Sequence, residues 1–473
     1  MTRRGDRSGG NAEPYSPHRR TAVLFAGTGT AGAYHAGVLR ALHESGVKID
    51  VAAGRGMGVV TALFAAIDGQ ARLWDAHGFW SGRAVPGLYP WHPWLRLFGM
   101  ALAVAAGLVI VPLAAMAAGL VVYPVDFVLR MLGWTAEGLT GFYVRLATRA
   151  FAPGGLPTWL PRLVVLALGS AVVLAAASAC VRTVRRRERG PLWWRMVPAP
   201  LSAERAVEHS WTVLWDLVRG AAHVRQPPAI DLARRYAELL SENVGQPGFR
   251  ELVVSVHDLD ARRDLVCAIV DSGHRRSLGY GSTPEASDTR LAEVLDLSGV
   301  ARDQLADVVA ASLAVPLVTD WHATTFPADG YWRGETHRLG DRPSGLSRLV
   351  RELVALAVEQ VIIVSAAPSA AGPHELVPPR LDGRGRWGEQ VQSAEAAALA
   401  DVVQGFRPGS VRLFVIRPEH NPVGPFDFAG GFDDRSDRAH PLAELMGLGY
   451  QDAYRQFVEP IVAPSGDRVG IGR

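Results

Sequence analysis

Ile49-Asp50-Val51-Ala52-Ala53-Gly54-Arg55-Gly56-Met57-Gly58-Val59-Val60-Thr61-Ala62-Leu63-Phe64-Ala65-Ala66 is the stretch on which the fold turns. Its first part is a short apolar run bounded by glycine, which reads as a buried strand, and its last part is an unbroken apolar run of helix-forming length. Glycines at 54, 56 and 58 mark the junction. Glycines placed around a sharp strand-to-helix turn are the layout of a nucleophile elbow, in which small residues let the turn close and a central side chain is presented at a helix N-terminus. Here the central residue is Gly56, which carries no atom able to attack a carbonyl.

Upstream, Thr21–Ala26 (TAVLFA) is a second apolar strand, followed by Gly27-Thr28-Gly29-Thr30-Ala31-Gly32 and a helical pattern from Tyr34 to His43. A loop of this kind leaves backbone N–H groups free at a helix N-terminus, which suits an anion or a developing oxyanion. Asp50, roughly 20 positions beyond the loop, keeps open a second reading, a dinucleotide-binding unit whose acidic residue holds a ribose.

The chain has 473 residues, with 49 Lys+Arg against 46 Asp+Glu and Lys48 as its lysine. A net charge of +3 spread over that length offers no concentrated basic face for nucleic acid. Cys180 and Cys267 cannot build a disulfide framework or a four-cysteine zinc site, and the histidines show no HExxH spacing, so neither metal nor cofactor is expected. His35, His257, His322 and His337 read as ordinary histidines, and Asp433, Asp434, Arg435 and Asp437 as a solvated loop before a last helix, Leu442 to Val458.

The mean hydropathy of +0.10 is concentrated in two charge-free runs, Leu97 to Val125 and Leu163 to Val181. About 20 apolar residues cross a ~30 Å hydrocarbon core, so both runs are expected to be transmembrane helices. The first carries Pro112 and Pro124 and is expected to tilt, to kink at Pro112 or to end before Pro124. Trp91, Trp94, Trp159, Trp193 and Trp194 flank the runs as interfacial belts do. Arg182, Arg185, Arg186, Arg187 and Arg189 place the end of the second run in the cytoplasm, with Arg130, Arg145, Arg149 and Arg162 in the opposing loop weakening the asymmetry. Within that loop Leu139, Phe142, Tyr143, Leu146 and Ala150 recur at helical spacing, which fits a helix lying on the bilayer or a solvated one. The Arg-rich polar N-terminus has no apolar signal-peptide region. The expected organisation is a tail at 1–20, a domain split into 21–90 and 200–460, a two-helix membrane insert at 91–199 and a tail at 461–473. Both domain parts are expected on the cytoplasmic side of the cell membrane, with membrane lipid as partner and a protein partner left open.

Taken in chain order, AGTGTAGAYHAGVLRAL, IDVAAGRGMGVVTALFAA, Leu252–Leu259 ending in Asp-Leu, Ala311-Ser312-Leu313-Ala314-Val315-Pro316 and Val361–Ser365 resemble the landmarks of the patatin-like phospholipase family. That resemblance implies an α/β fold, a sheet flanked by helices and interrupted here by a transmembrane hairpin, and lipid acyl hydrolysis by a Ser–Asp dyad. It assigns Gly27, Thr28, Gly29 and Gly32 to the oxyanion loop, Gly54, Met57 and Gly58 to the elbow, and Gly56 to the nucleophile position. The dyad aspartate falls on Asp329 of Asp329-Gly330, or on Arg333 if Tyr331–Glu335 is the equivalent loop and Asp341-Arg342-Pro343 its NxP. Gly56 for serine, Thr28 for the middle loop glycine and Ala31 for a basic residue imply a catalytically impaired protein that binds lipid or a partner. The alternative is a working lipid acyl hydrolase using Asp329 with an activated water or a relocated nucleophile, for which Ser45, Ser81, Thr28, Thr30 and Thr61 are the neighbours.

Overall fold

The computed structural model describes residues 15–133, 139–150, 152, 156–186, 199–278, 290–299, 301–369, 380, 382–406 and 411–462. It divides into two units, one made of Met1–Pro90 with Ser202–Arg473 and the other of Trp91–Leu201.

The larger unit is built on a mixed sheet in which parallel pairs dominate. Its strands are β1 (Thr21–Gly27), β2 (Val51–Gly56), β3 (Glu251–Asp258), β4 (Arg263–Ile269), β5 (Val294–Asp296), β6 (His322–Thr325), β7 (Thr336–Gly340), β8 (Gln360–Ser365) and β9 (Arg412–Ile416). The order is β5-β4-β3-β2-β1-β8-β9, with the β6–β7 hairpin joined to the end of β3. Strands β3, β2, β1, β8 and β9 run parallel, and β4 returns antiparallel beside β3. β1 and β2 are buried along their whole length, as strands covered on both faces must be. One face carries Leu24, Ala53, Val253 and Ile363 against Leu349 and Leu353 of helix Gly345–Ala355 and Leu399 of helix Gly383–Gly405. Helices α1 (Ala31–Glu44) and α2 (Gly58–Ala66) also pack on the sheet, each following its strand directly. This is an α/β fold.

The boundaries depart from expectation at both ends. Tyr15, placed in the tail, is 2% exposed and edge-on to Phe457, with its hydroxyl accepting Lys48 N–H at 2.9 Å, while Ser16 is bonded at N and O to the Gln360 amide. One aromatic in a polar, arginine-rich stretch sets up no periodicity, so its burial leaves no mark on the pattern. Asp433 to Asp437 turn a small hairpin, β10 (Gly431–Asp433) to β11 (Arg438–His440), and are not a plain solvated loop. The final helix ends at Ala453 and continues as a wider helical turn, Tyr454–Val462, which holds Pro460.

The smaller unit consists of helices Pro93–Met131, Leu139–Ala150 and Leu156–Arg186. The first and third pack together, with Ala105, Ala171 and Ala179 buried, while Met116, Leu120, Val165 and Leu166 are exposed. By length and composition, one stretch, Arg162–Val181, is long and apolar enough to cross a membrane among the described residues. The first helix does not end before Pro124. It runs unbroken through Pro112 and Pro124 for 39 residues, because each proline removes a single backbone bond and leaves the rest of the ladder in place. Tyr143 of the short helix meets Tyr123 edge-on at 5.8 Å, and its Phe142 and Leu146 remain exposed. Trp193, Trp194, Arg187 and Arg189 lie outside the described residues.

Candidate active site

Gly27 and Gly56 are register partners at the ends of β1 and β2, so the glycine loop and the elbow emerge side by side at the carboxyl edge of the parallel strands. That edge is where open α/β sheets hold their ligands. β2 passes into α2 through Met57 with no intervening loop, and Gly54, Met57 and Gly58 are buried in the junction.

The turn is closed too tightly for a side chain at its centre. Gly56 has φ +58, and a Cβ there would stand 2.5 Å from the Gly27 carbonyl oxygen and 3.0 Å from Asp341 Oδ2. The Met57 N–H, a donor that an elbow turns toward an oxyanion, is already bonded to that Gly27 carbonyl at 2.8 Å. The loop is closed in the same way. Gly29, at φ +58, lies so near Pro425 that a Cβ would meet its carbonyl oxygen at 1.9 Å. That carbonyl accepts Thr30 N–H at 2.9 Å, and the Thr30 hydroxyl donates to Gly424 O at 2.9 Å. The N-terminus of α1 thus binds a backbone carbonyl in the place where an anion would sit. Gly32 faces Trp80 and Met57.

Between the two loops stands an ion cluster. Arg55, 2% exposed, donates through Nε to Asp341 Oδ1 at 3.1 Å and through Nη2 to Asp341 Oδ2 at 2.6 Å, with Glu395 Oε1 a further 3.3 Å from Nη2. The Thr28 hydroxyl donates to Glu395 Oε1 at 2.7 Å. Burial works against the guanidinium charge, but the two carboxylates outweigh it and raise the Arg55 pKa. Burial also pushes the Glu395 carboxyl up, against the pull of Arg55 and Thr28. Burial pushes His35, on α1, down to about 3, so its ring is neutral.

Asp329 and Arg333 are not brought to Gly56. Both are exposed on the tip of the β6–β7 hairpin, and the five residues of β7, about 16 Å of extended chain, separate that tip from the cluster. The carboxylate beside Gly56 belongs to Asp341, which follows β7 directly and is anchored by its N–H to Ala314 O at 2.7 Å. Its position between a strand end and a helix start was the available signal. Glu395 was also missed, and the mark it leaves is a single acid inside the alanine-rich run of helix Gly383–Gly405.

Asp50 is at the opposite edge of the sheet, accepting Thr21 N–H at 2.9 Å and paired with Lys48 at 2.8 Å. It cannot reach a ribose lying over Gly27–Gly32, and the dinucleotide reading fails on that geometry. Among the relocated-nucleophile candidates, Ser45 is tied to Ala41 O at 2.7 Å at the far end of α1, Thr61 is buried in α2 and Ser81 sits in a separate turn. His257, His322 and His337 each pair with an aspartate, Asp264, Asp307 and Asp258 respectively. No group of metal-ligating side chains is assembled among the described residues.

A cleft of about 420 Å³ opens beside the cluster, with Thr28 and Asp341 in its lining. On the other side, between Ala366 and the Asn421–Pro425 segment, only about 10 Å³ remains, and Asn421 Nδ2 donates to Ala366 O at 3.1 Å across it.

No family model and no curated protein matches the chain. Among solved structures, the crystal structure of VipD from Legionella pneumophila aligns over 95% of this chain and 67% of that one, at 11% identity and a TM-score of 0.30. At that score, the description of the fold rests on the strand order and on the loops themselves.

Proposed function

We propose that the chain is a membrane-anchored protein of patatin-like architecture whose hydrolytic site has been converted into a packed ion cluster, leaving a lipid-binding protein without acyl hydrolase activity. The observation that carries this reading is Gly56: the space a serine Cβ would need is taken by the Gly27 carbonyl oxygen at 2.5 Å. An acyl-transfer enzyme needs an attacking atom and free donors for the oxyanion. Here the attacking atom is missing, and the Met57 and Thr30 N–H groups are bonded to carbonyls. Helices Pro93–Met131 and Leu156–Arg186 are the proposed anchor, their exposed Leu, Val and Met side chains facing lipid and the Arg182–Arg189 run facing the cytoplasm. Lipid is the proposed partner.

The test is hydrolysis of a short-chain ester and of a phospholipid by the full chain and by Gly56→Ser. Neither protein is expected to turn over substrate. Clear turnover by the unmodified chain would overturn the impaired-site reading, and turnover by Gly56→Ser alone would show that the oxyanion donors can be released.

One observation favours a second reading, a hydrolase with a relocated nucleophile. Thr28 Oγ1 is 2.7 Å from Glu395 Oε1, within reach for a hydroxyl and its base. Covalent labelling by a fluorophosphonate that disappears in Thr28→Ala would favour it over the first.

A further inference from the structure

The 420 Å³ cleft survives the closure of the elbow, and its walls are unlike the ion cluster at its end. Val315, Pro316, Pro343, Val391 and Ala394 make it largely apolar. Among them stand Thr28 and Asp341 of the ion cluster, the neutral Gln390, and two further polar side chains, His257 and Arg342. His257, near the end of β3, has Nδ1 held 2.7 Å from Asp264 Oδ1, which fixes the ring and leaves Nε2 without a partner among the described residues. Arg342 is exposed, and its guanidinium has no acceptor among the described residues. The nearby carboxylates are already engaged: Asp341 is bound by Arg55, Asp264 by His257, and Glu395 by Arg55 and Thr28. An anion arriving at Arg342 therefore meets a cation with no internal competitor.

The residue that follows the lining segment Val315-Pro316 is also unusual. Leu317, the residue after Pro316, is 91% exposed and has φ +70, a left-handed conformation that costs a bulky side chain about 1–2 kcal/mol. Packing does not account for the exposure of this leucine, which leaves its side chain available to an apolar surface.

We propose that the cleft binds a single-chain anionic amphiphile, with its carboxylate or phosphate head against Arg342 and its chain along Val315, Pro343 and Val391, taken up from a lipid surface past Leu317. The proposal rests on the lipid-binding reading above and narrows it to one ligand class. At about 30 Å³ for each water-sized group, the cleft takes roughly 14 non-hydrogen atoms, room for the roughly 12 of decanoate.

The experiment uses the full chain in phosphatidylcholine nanodiscs and equilibrium dialysis of radiolabelled decanoate, decyl phosphate and decanol, with partition into empty discs subtracted. Saturable binding of the anions is expected, with decanol at least tenfold weaker, and Arg342→Gln should bring the anions down about tenfold to the level of decanol. Whichever of decanoate and decyl phosphate binds more tightly identifies the head group, and either order supports the proposal. Ala394→Trp, and Val391→Phe as a second filling variant with an unchanged melting temperature, should remove binding of all three. Leu317→Ser should slow uptake from donor vesicles and leave the affinity unchanged. The proposal is overturned by absence of saturable binding over empty discs, by equal affinity for decanol and decanoate, by Arg342→Gln binding as the unmodified chain does, or by binding that survives both filling variants. These failures leave the ester assay untouched, and turnover in that assay would overturn the impaired-site reading without altering the dialysis result.

Discussion

At Gly56 the absence of a side chain and the presence of a charge cluster go together, because Arg55, Asp341 and Glu395 pack the volume around the turn. Removing the cation should be far worse than removing an acid. Arg55→Leu leaves two buried carboxylates unpaired and is expected to destabilise by about 3–5 kcal/mol, read as a lowered melting temperature. Glu395→Gln keeps an acceptor for Thr28 and a 1:1 pair of Arg55 with Asp341, so its melting temperature should stay within a few degrees. A loss comparable to that of Arg55→Leu would contradict the ranking. The pH dependence follows from the raised Glu395 pKa. Its contribution is fully present below the ordinary 4.5 and fades as the pH rises through the raised value, so Glu395→Gln should flatten that part of the stability profile.

At the level of elements, the β6–β7 hairpin carries its own titrating lock. His337 of β7 has Nδ1 2.5 Å from Asp258 Oδ2 on β3 and Nε2 3.2 Å from Glu335 Oε2, with Phe326 and Trp332 against the ring. Burial lowers the pKa of this imidazole, but the bonds to Asp258 and Glu335 outweigh it and the net shift is upward from 6.5. The hairpin is therefore most firmly held below 6.5 and loosens as the pH rises through the raised value. Hydrogen exchange of Thr336–Gly340, corrected for intrinsic rates, should accelerate between pH 6 and pH 8.5, and His337→Gln should remove the change. Identical protection at both pH values would refute the lock. The elements nearest the elbow were the ones open to reading from sequence. β1, the glycine loop, β2 and α2 each announce themselves within a dozen residues by apolar runs broken at glycine. Asp341 was legible only as the start of an NxP-like segment and Glu395 not at all, because tertiary routes bring them in, one behind a five-residue strand of mixed polarity (THRLG) and the other midway along helix Gly383–Gly405. A literal Asp-Gly pair at 329 and 330 marks a hairpin tip, because that pair suits turns as well as it suits catalytic loops.

For the whole molecule, the proposed topology makes a direct prediction. Met131, exposed at the end of the first long helix, lies in the segment expected on the far side of the membrane. Met131→Cys should react with an impermeant maleimide applied to intact cells, and labelling from the cytoplasmic side alone would contradict the hairpin. The site of the insertion has a further consequence, for synthesis. β2 ends at Gly56, but its parallel neighbour β3 begins at Glu251, so the helices of the proposed anchor are made between two strands that must pair. At roughly 5–20 residues per second, the ribosome leaves β2 with an open hydrogen-bonding edge for about 10–40 s. Nascent chains that insert their helices promptly spend that interval tethered to a bilayer and kept apart from one another, whereas chains that fail to insert carry an exposed half-sheet among their neighbours. Under the proposed anchoring, blocking insertion should therefore send newly made protein into aggregates before β3 is translated, and deletion of the helices, which brings β3 closer to β2 in the chain, should shorten the exposed interval.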